Sequence, residues 1–527
     1  MSRIVGFWQQ MTGRPRLSAL ALGLLSATGF EPLGLWPVAL AAMAAFAALV
    51  AEAADARRAA WLGWWFGVAH FTVSNNWIAE AFTHQAEMPA ALGWIAVPLL
   101  SLYLALFPAI AALGARAIGG GSLGWPLAFA FAASWTISEL LRATVFTGYA
   151  WNPFAMVLLG PFDRPGLALL APWIGTYALS GLAVLAASAL AILVRERHVW
   201  PAGLAALLLA LGMYLPGPAP REGPLRFTLV QPNLPQARLT DPRYYEANFV
   251  RLVRLGEPRA DGPRLLLWPE SGLADYLRPG YPQRYYDRTT AFGDPDFARR
   301  RIGRLIGPGT VLLTGAVDLE IGAGEFGPRA VAAYNAVTAL DDEGAILGGY
   351  AKAHLVPYGE YLPMRPLLEP LGLSRLVAGT IDFRPGPGPR TLDLGAHGRA
   401  GIQICYEIVF SGQVVERGDR PDYLFNPSND GWFGAFGPPQ HLAQARLRAI
   451  EEGLPVLRAT TTGISAVIDA HGVVRQHLRT GEAGRLDGVV PRALAPTPFA
   501  RWGHGLTLFW TIVFLALAAV AMRRRHG

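Results

Sequence analysis

Apolar residues run along this chain in two rhythms. Up to about residue 215, long stretches rich in Ala, Leu, Gly, Trp and Phe are separated by short polar breaks. About 20 apolar residues in a helix cross the hydrocarbon of a bilayer. The pattern predicts spans near 17–31, 34–53, 59–83, 91–117, 124–145, 166–194 and 198–215, with an eighth at 503–522. The first stretch is not read as a removable signal peptide, because further spans follow it without a small-residue cleavage site. Between residues 221 and 500 the rhythm changes, and short apolar runs alternate with helical stretches. RFTLVQ (226–231), RLLLWPE (264–270), TVLLTGAV (310–317), AYNAVTALD (333–341), RAGIQICYE (399–407), YLFNPS (423–428) and SAVIDA (465–470) read as strands. Residues 242–255, 295–306, 409–418 and 438–453 read as helices. Strands alternating with helices predict an α/β sandwich. The chain therefore divides into an N-terminal membrane part (1–220, about seven helices), a globular domain (221–500) and a C-terminal membrane helix with an Arg-rich tail (501–527).

Composition sharpens this picture. The chain is 52% hydrophobic and only 16% charged, against about 25% charged in an ordinary soluble domain. Its net charge of +7 is a topology signal, because no aromatic-and-basic stripe or nucleic-acid motif accompanies it. With the N-terminus in the cytoplasm, Arg3, Arg14, Arg16, Arg57, Arg58, Arg116, Arg195, Arg197 and Arg523–Arg525 all fall on the cytoplasmic side, as the positive-inside rule requires. Seven spans then put the globular domain outside, in the periplasm of a diderm bacterium. Within the spans, Glu139 and Arg142 stand at i and i+3 and are expected to clamp a helix near the outer interface. His70, Asn75, Asn76 and Glu80 are expected to join helices.

The chemistry is concentrated in three residues. All but one of the 45 basic residues are arginine; the exception is Lys352. The only thiol is Cys405. A single cysteine excludes a disulfide framework and Cys-rich zinc sites, and no HExxH-type metal motif appears. Lys352, Cys405 and Glu270 each stand at the end of a predicted strand, where α/β folds place ligand sites. Each alone has an ordinary explanation: a surface lysine, a buried inert thiol, a solvated turn acid. Together they make a nucleophile, a cation and a base. A thiolate attacks, a carboxylate takes and returns the proton, and an ammonium with a backbone N–H holds an oxyanion. His354 and His441 are the rival bases.

These residues lie in motifs that resemble the nitrilase, or carbon–nitrogen hydrolase, superfamily: WPES around Glu270, YAKAHLVPYGEYLP around Lys352 and ICYE around Cys405. With the flanking spans and with VQPNLPQ (230–236), NDGWFG (429–434), GPPQHLAQARLRAIE (437–451) and RATTTGISAVID (458–469), the chain resembles, more narrowly, the apolipoprotein N-acyltransferase family of bacterial inner membranes. That resemblance implies a nitrilase-like αββα sandwich and a two-step acyl transfer. Cys405 would take the sn-1 acyl chain of a phospholipid, typically phosphatidylethanolamine. It would pass that chain to the α-amine of a diacylated apolipoprotein. Glu270 would be the base and Lys352 the oxyanion partner. Glu360 would position Lys352 or the amine, and Tyr406, Glu407 and Trp432 would shape the pocket. No cofactor and no metal are implied, and a monomer is expected. Two departures stand out: Thr240 lies near the place where the family often has Trp, and Thr461 replaces the Asn of ATNTG. The apolar segments 273–298 and 361–377 are candidate lids. The alternatives are a membrane-tethered amidase or nitrilase hydrolase with the same triad, or a transporter with an external binding domain.

Overall fold

The computed structural model describes residues 12–84, 89–371 and 381–526; Arg3, Leu373 and Leu376 lie outside these. Helices cover Pro15–Ala27, Trp36–Ala51, Ala56–Ser74, Leu92–Leu104, Leu106–Gly119, Trp125–Thr144, Ala171–Arg195, Val199–Tyr214 and His504–His526. Three stretches among the described residues are long and apolar enough to cross a membrane: Leu92–Gly119, Leu167–Arg195 and His504–Arg524. The predicted 59–83 span is interrupted, because its helix stops at Ser74. There the Asn75 Oδ1 accepts from the Tyr149 hydroxyl at 2.8 Å. Further back on that helix, His70 Nδ1 lies 2.6 Å from Ser26 Oγ on a neighbouring helix. Glu139 and Arg142 lie 4.0 Å apart. Glu139 accepts from the Phe154 N–H at 2.7 Å, and Arg142 donates to the carbonyls of Tyr149 (3.0 Å) and Trp151 (2.6 Å). Together the pair holds the loop at 149–154.

The globular domain contains two six-stranded sheets. The strands are β1 (Glu222–Gln231), β2 (Arg264–Leu267), β3 (Thr310–Gly322), β4 (Arg329–Leu340), β5 (Ile346–Ala351), β6 (Thr391–Asp393), β7 (Arg399–Ile402), β8 (Tyr423–Ser428), β9 (Val456–Thr460), β10 (Ser465–Ile468), β11 (Val474–Leu478) and β12 (Gly484–Pro491). The orders are β12-β1-β2-β3-β4-β5 and β11-β10-β9-β8-β7-β6. In each sheet three successive strands are parallel, β1-β2-β3 and β7-β8-β9. Their carboxyl ends point the same way.

Alternation along the strands builds the layers. Leu265 and Leu267 of β2 and Leu313 of β3 face Ile402, Phe425 and Leu457 of the second sheet. Leu266 and Leu312 point outward, onto Phe249 and Leu252 of helix Tyr245–Gly256 and Ile302 and Ile306 of helix Pro295–Ile306. On the far side, helix Gly437–Glu452 covers the second sheet. It is buried all round, with Leu442, Ala445 and Ala449 in the sandwich core and Ala443, Leu447 and Ile450 packed into the helical domain. The layers are therefore α-β-β-α, with the last helix doubling as the seam to the membrane helices.

Every predicted strand is present, and β5, β6, β9, β11 and β12 add to them. The helix expected at 409–418 is absent. Residues Cys405–Val409 form a 3-10 turn, Phe410 is extended (φ −85°, ψ 100°) and Gly412 is left-handed (φ 71°). Val409, Phe410 and Val414 are taken into the sandwich core.

Candidate active site

The candidate residues stand just past strand ends on one side of the sandwich. After β2, the Trp268 N–H still donates to the Leu313 carbonyl at 3.0 Å. Pro269 has no N–H to continue the ladder, and Glu270 turns inward. β3 passes directly beneath that turn at Gly315, where a Cβ would lie 2.7 Å from the Glu270 Cα. After β5, the Lys352 N–H donates to the Asn335 carbonyl at 2.8 Å. This extra rung sends the lysine side chain inward, and Lys352 is only 1% exposed. Its neighbour Glu360 is fixed by a local turn, in which the Val356 N–H donates to Glu360 Oε2 at 2.8 Å.

Cys405 opens the turn after β7 with φ 51°, a left-handed conformation that costs a non-glycine residue about 1–3 kcal/mol. Surrounding bonds hold it there. The Ile404 N–H donates to Glu407 Oε2 at 2.7 Å, and Asn426 Nδ2 donates to the Gln403 carbonyl at 2.6 Å. His441 Nε2 lies 3.0 Å from the Cys405 carbonyl.

The acids and the cation form a buried cluster. Lys352 Nζ lies 2.9 Å from Glu360 Oε2 and 3.9 Å from Glu270 Oε1. Asn335 Nδ2 bridges the two carboxylates, at 2.7 Å from Glu270 Oε1 and 2.8 Å from Glu360 Oε1. The Asn429 N–H donates to Glu270 Oε2 at 2.7 Å. The Glu270 carboxylate is close enough to the Cys405 thiol for its charge to raise the thiol pKa. Burial raises the Glu270 pKa; Lys352 opposes this and Glu360 adds to it. Burial disfavours the Lys352 ammonium, but Glu360 and then Glu270 outweigh it and hold its pKa above the usual lysine range. Burial, and then Glu270, push the Cys405 thiol well above its usual value, with Lys352 opposing. The resting site thus holds a thiol facing a carboxylate of raised basicity.

The other predicted residues have different positions. Glu407 lies behind the nucleophile and accepts from the Tyr350 hydroxyl (2.7 Å), the Ala353 N–H (2.7 Å) and the His354 N–H (3.1 Å). It ties the Cys405 turn to the Lys352 loop, and burial pushes its pKa up to about 7. Tyr406 faces the helical domain, stacked on Trp151 with ring centroids 6.4 Å apart. Trp432 is half-buried at the seam, edge-on to His84 at 5.8 Å. Thr461 donates its hydroxyl to Asn429 Oδ1 at 2.8 Å, so it supports the residue whose N–H holds Glu270. Thr240 is exposed at the end of the short helix Gln236–Leu239. Of the lid candidates, 273–298 is pinned by tyrosines: Tyr281 and Tyr285 accept backbone N–H bonds from Leu319 (2.9 Å) and Ala330 (2.7 Å). In the described part of 361–377, Met364 and Leu367 are 60% and 68% exposed.

Neither rival histidine is placed as a base. His354 Nε2 is 3.0 Å from the Thr147 carbonyl. His441 stands behind the Cys405 backbone, with Nδ1 at 2.9 Å from Arg458 Nη2. Burial and then Arg458 hold His441 below the usual histidine range, and Nδ1 also lies 3.1 Å from Asp430 Oδ1. Cys405, Asp430 and His441 present possible metal ligands within 4.8 Å of one another. Arg458 Nη2 also lies 2.6 Å from Asp430 Oδ2. A guanidinium bonded to two of the three donors takes up the lone pairs a cation would need, so the set does not fit a metal.

Asn335, Asn429, Asp430 and Arg458 support the site without having been singled out as its residues, and His441 supports it in a role other than the base it was weighed as. NDGWFG and RATTTG carried three of these, Asn429, Asp430 and Arg458, as motif text, but a buried arginine–aspartate pair has no periodic signature.

Residues 22–189 match the family model described as Apolipoprotein N-acyltransferase N-terminal domain, and residues 257–494 match Carbon-nitrogen hydrolase. The apolipoprotein N-acyltransferase of Rhodopseudomonas palustris is 36% identical over 536 residues, covering 96% of this chain and 95% of that protein. The enzyme of the same name from Bradyrhizobium diazoefficiens is 36% identical over 550 residues, covering 97% and 95%. Among solved structures, a mutant amidase from Nesterenkonia sp. AN1, with an acetamide moiety at its active-site cysteine, is 20% identical with a TM-score of 0.35. It covers 56% of this chain and 98% of its own.

Proposed function

The chain belongs to the apolipoprotein N-acyltransferase family, and we propose that Glu270, Lys352 and Cys405 carry its acyl transfer through a thioester. The observation behind this assignment is the convergence of a buried thiol, a carboxylate of raised pKa and a buried ammonium in one buried cluster.

In the first step Cys405 Sγ attacks the sn-1 ester carbonyl of a phospholipid, typically phosphatidylethanolamine, as its proton passes to Glu270. A high thiol pKa argues against a preformed thiolate. Transfer during attack is favoured because Glu270 is more basic than an ordinary carboxylate. Lys352 Nζ and the Tyr406 N–H stabilise the oxyanion. Collapse breaks the ester bond, Glu270 protonates the leaving alkoxide, and a lysophospholipid departs. In the second step the α-amine of the S-diacylglyceryl-cysteine of an apolipoprotein attacks the thioester. Glu270 takes the amine proton and returns it to the sulfur. Glu360 orients Lys352, and Glu407 holds the nucleophile turn against the lysine loop.

The proposal extends to placement. Eight spans, cytoplasmic termini and a periplasmic catalytic domain agree with the arginine distribution, and the protein acts as a monomer in the inner membrane. The domains run 1–220, 221–500 and 501–527. The exposed Met364 and Leu367, a few residues beyond Glu360, make 361–371 the better lid, dipping toward lipid. Water as acceptor would make the same triad a hydrolase. Cys405 is only 5% exposed, and a buried thioester favours a tethered amine over water.

The test is intact-mass analysis of the full chain after incubation with phosphatidylethanolamine, wild type beside Cys405→Ser and Glu270→Gln. A hydroxylamine-labile, acyl-sized adduct on wild type alone is expected. Equal adducts on Cys405→Ser, or free fatty acid released without any acylated peptide amine, would overturn the assignment.

A further inference from the structure

A cleft of about 760 Å³ opens at the opposite end of the central strands from the triad. Six arginines line it: Arg221, Arg226, Arg259, Arg264, Arg475 and Arg485. Three carboxylates stand against them: Glu222 and Asp487 in the lining, and Asp469, which accepts from Arg475 Nε at 2.8 Å. Asp487 is shared, with Oδ2 at 2.8 Å from Arg485 Nε and 3.7 Å from Arg259 Nη1. Its other oxygen accepts from the Thr228 hydroxyl at 2.8 Å.

Arg485 is the informative member. Its side chain is 6% exposed. Nη1 donates to the carbonyls of Leu255 (3.1 Å) and Glu257 (2.6 Å). Nη2 is buried and has no hydrogen-bond partner among the described residues. A buried donor left unpaired is costly, more so when charged. Arg264 is buried next to it, and burial followed by the like charge of Arg485 lowers its pKa. Excess positive charge in a concave site concentrates anions, and the guanidinium fork matches phosphate oxygens.

The cleft is separate from the catalytic cluster. Arg264 opens β2 and Glu270 stands six residues on, about 20 Å along an extended chain. A lipid with its ester at Cys405 could not place its own phosphate here. The cleft borders the seam with the helical domain, since Arg475 Nη2 donates to the Pro218 carbonyl at 2.7 Å. Pro218 follows the apolar helix Val199–Tyr214 by only a few residues. On the same side, the Val474 N–H at the start of β11 donates to the Phe162 carbonyl at 2.8 Å.

We propose that this arginine cleft is a phosphate-binding site, taking either the headgroup phosphate of an anionic lipid or free phosphate. It is independent of the acyl-transfer assignment.

The experiment is native mass spectrometry of the full chain in detergent micelles, titrated with phosphatidylglycerol, phosphatidylethanolamine and inorganic phosphate. Arg221→Gln/Arg226→Gln/Arg259→Gln removes three exposed guanidinia and leaves Arg264 and Arg485 in place. Arg254→Gln/Arg300→Gln/Arg304→Gln removes the same charge from a separate basic face. Phosphatidylglycerol or phosphate should bind the wild type and the second variant alike, and the first at least tenfold more weakly. Lipid that free phosphate does not displace assigns a headgroup; binding of free phosphate alone assigns the ion. Arg259→Glu, a single change at a 75% exposed side chain, should weaken binding by itself and decides the matter if the triple variant does not fold. No binding by wild type, equal binding by the first variant, or equal loss in both triple variants would overturn the site.

Discussion

At the residue scale, the proposed reactivity rests on the coupling of three ionisable groups. Lys352 is enclosed, with Glu360 at 2.9 Å. A guanidinium would keep the charge, but its planar fork does not fit a space shaped for an ammonium. Lys352→Arg is expected to slow thioester formation about 10²–10³-fold, the usual loss for one oxyanion donor. Acylation at the wild-type rate would show that charge alone suffices. The raised Glu270 pKa sets the pH dependence. The base must be ionised, so the rate falls as pH drops through the folded pKa, which burial has lifted above 4.5. Single-turnover acylation should therefore show an acid limb above pH 4.5, and a limb at or below that value contradicts Glu270 as base.

At the element scale, close approach of backbones sets the geometry. β3 can lie under the Glu270 turn only because position 315 carries no Cβ, the nearest backbone atom being 2.7 Å from where one would sit. Gly315→Ala must displace the Glu270 turn, and a misplacement of about 1 Å costs on the order of 10²-fold in rate. The variant should acylate at least tenfold more slowly while retaining its fold by circular dichroism; an unchanged rate would sink this account. Helix Gly437–Glu452 shows a second kind of constraint. Its two apolar stripes serve two cores, so charged side chains between them are buried too. Arg446 donates to the Gly472 carbonyl at 2.8 Å and to the Gly160 carbonyl at 2.9 Å, so one guanidinium bridges both domains.

For the whole molecule, Glu451 is one of the side chains that couple the globular and helical domains. The helix Ala171–Arg195 breaks at Gly175 (φ 76°), which frees the Thr176 N–H to donate to Glu451 Oε1 at 2.6 Å. The Ser411 hydroxyl donates to the same oxygen at 2.9 Å, and Arg448 Nη1 lies 2.7 Å from Oε2. A carboxylate from the sandwich thus caps a helix of the other domain. Glu451→Ala leaves these groups buried without their acceptor and is expected to destabilise the protein by about 3–5 kcal/mol. The fall in the thermal midpoint of the solubilised protein measures it, and an unchanged midpoint would show that the seam does not depend on this contact.

The chain's own pattern was enough to locate most of the apolar helices, seven of the strands, the α/β layering and three residues, Glu270, Lys352 and Cys405, that the fold brings together. Those features are local: a period of burial, a proline that ends a ladder, a residue type used once. The expected helix at 409–418 failed because burial of Val409, Phe410 and Val414 in a shared core overrode a helical pattern, and that core exists only once the sheets face each other. The same holds for Asn335 between two acids, for His441 behind the Cys405 carbonyl and for the unpartnered Arg485. Each depends on which strand ends and helix faces meet across long stretches of chain, and a linear pattern does not record such meetings.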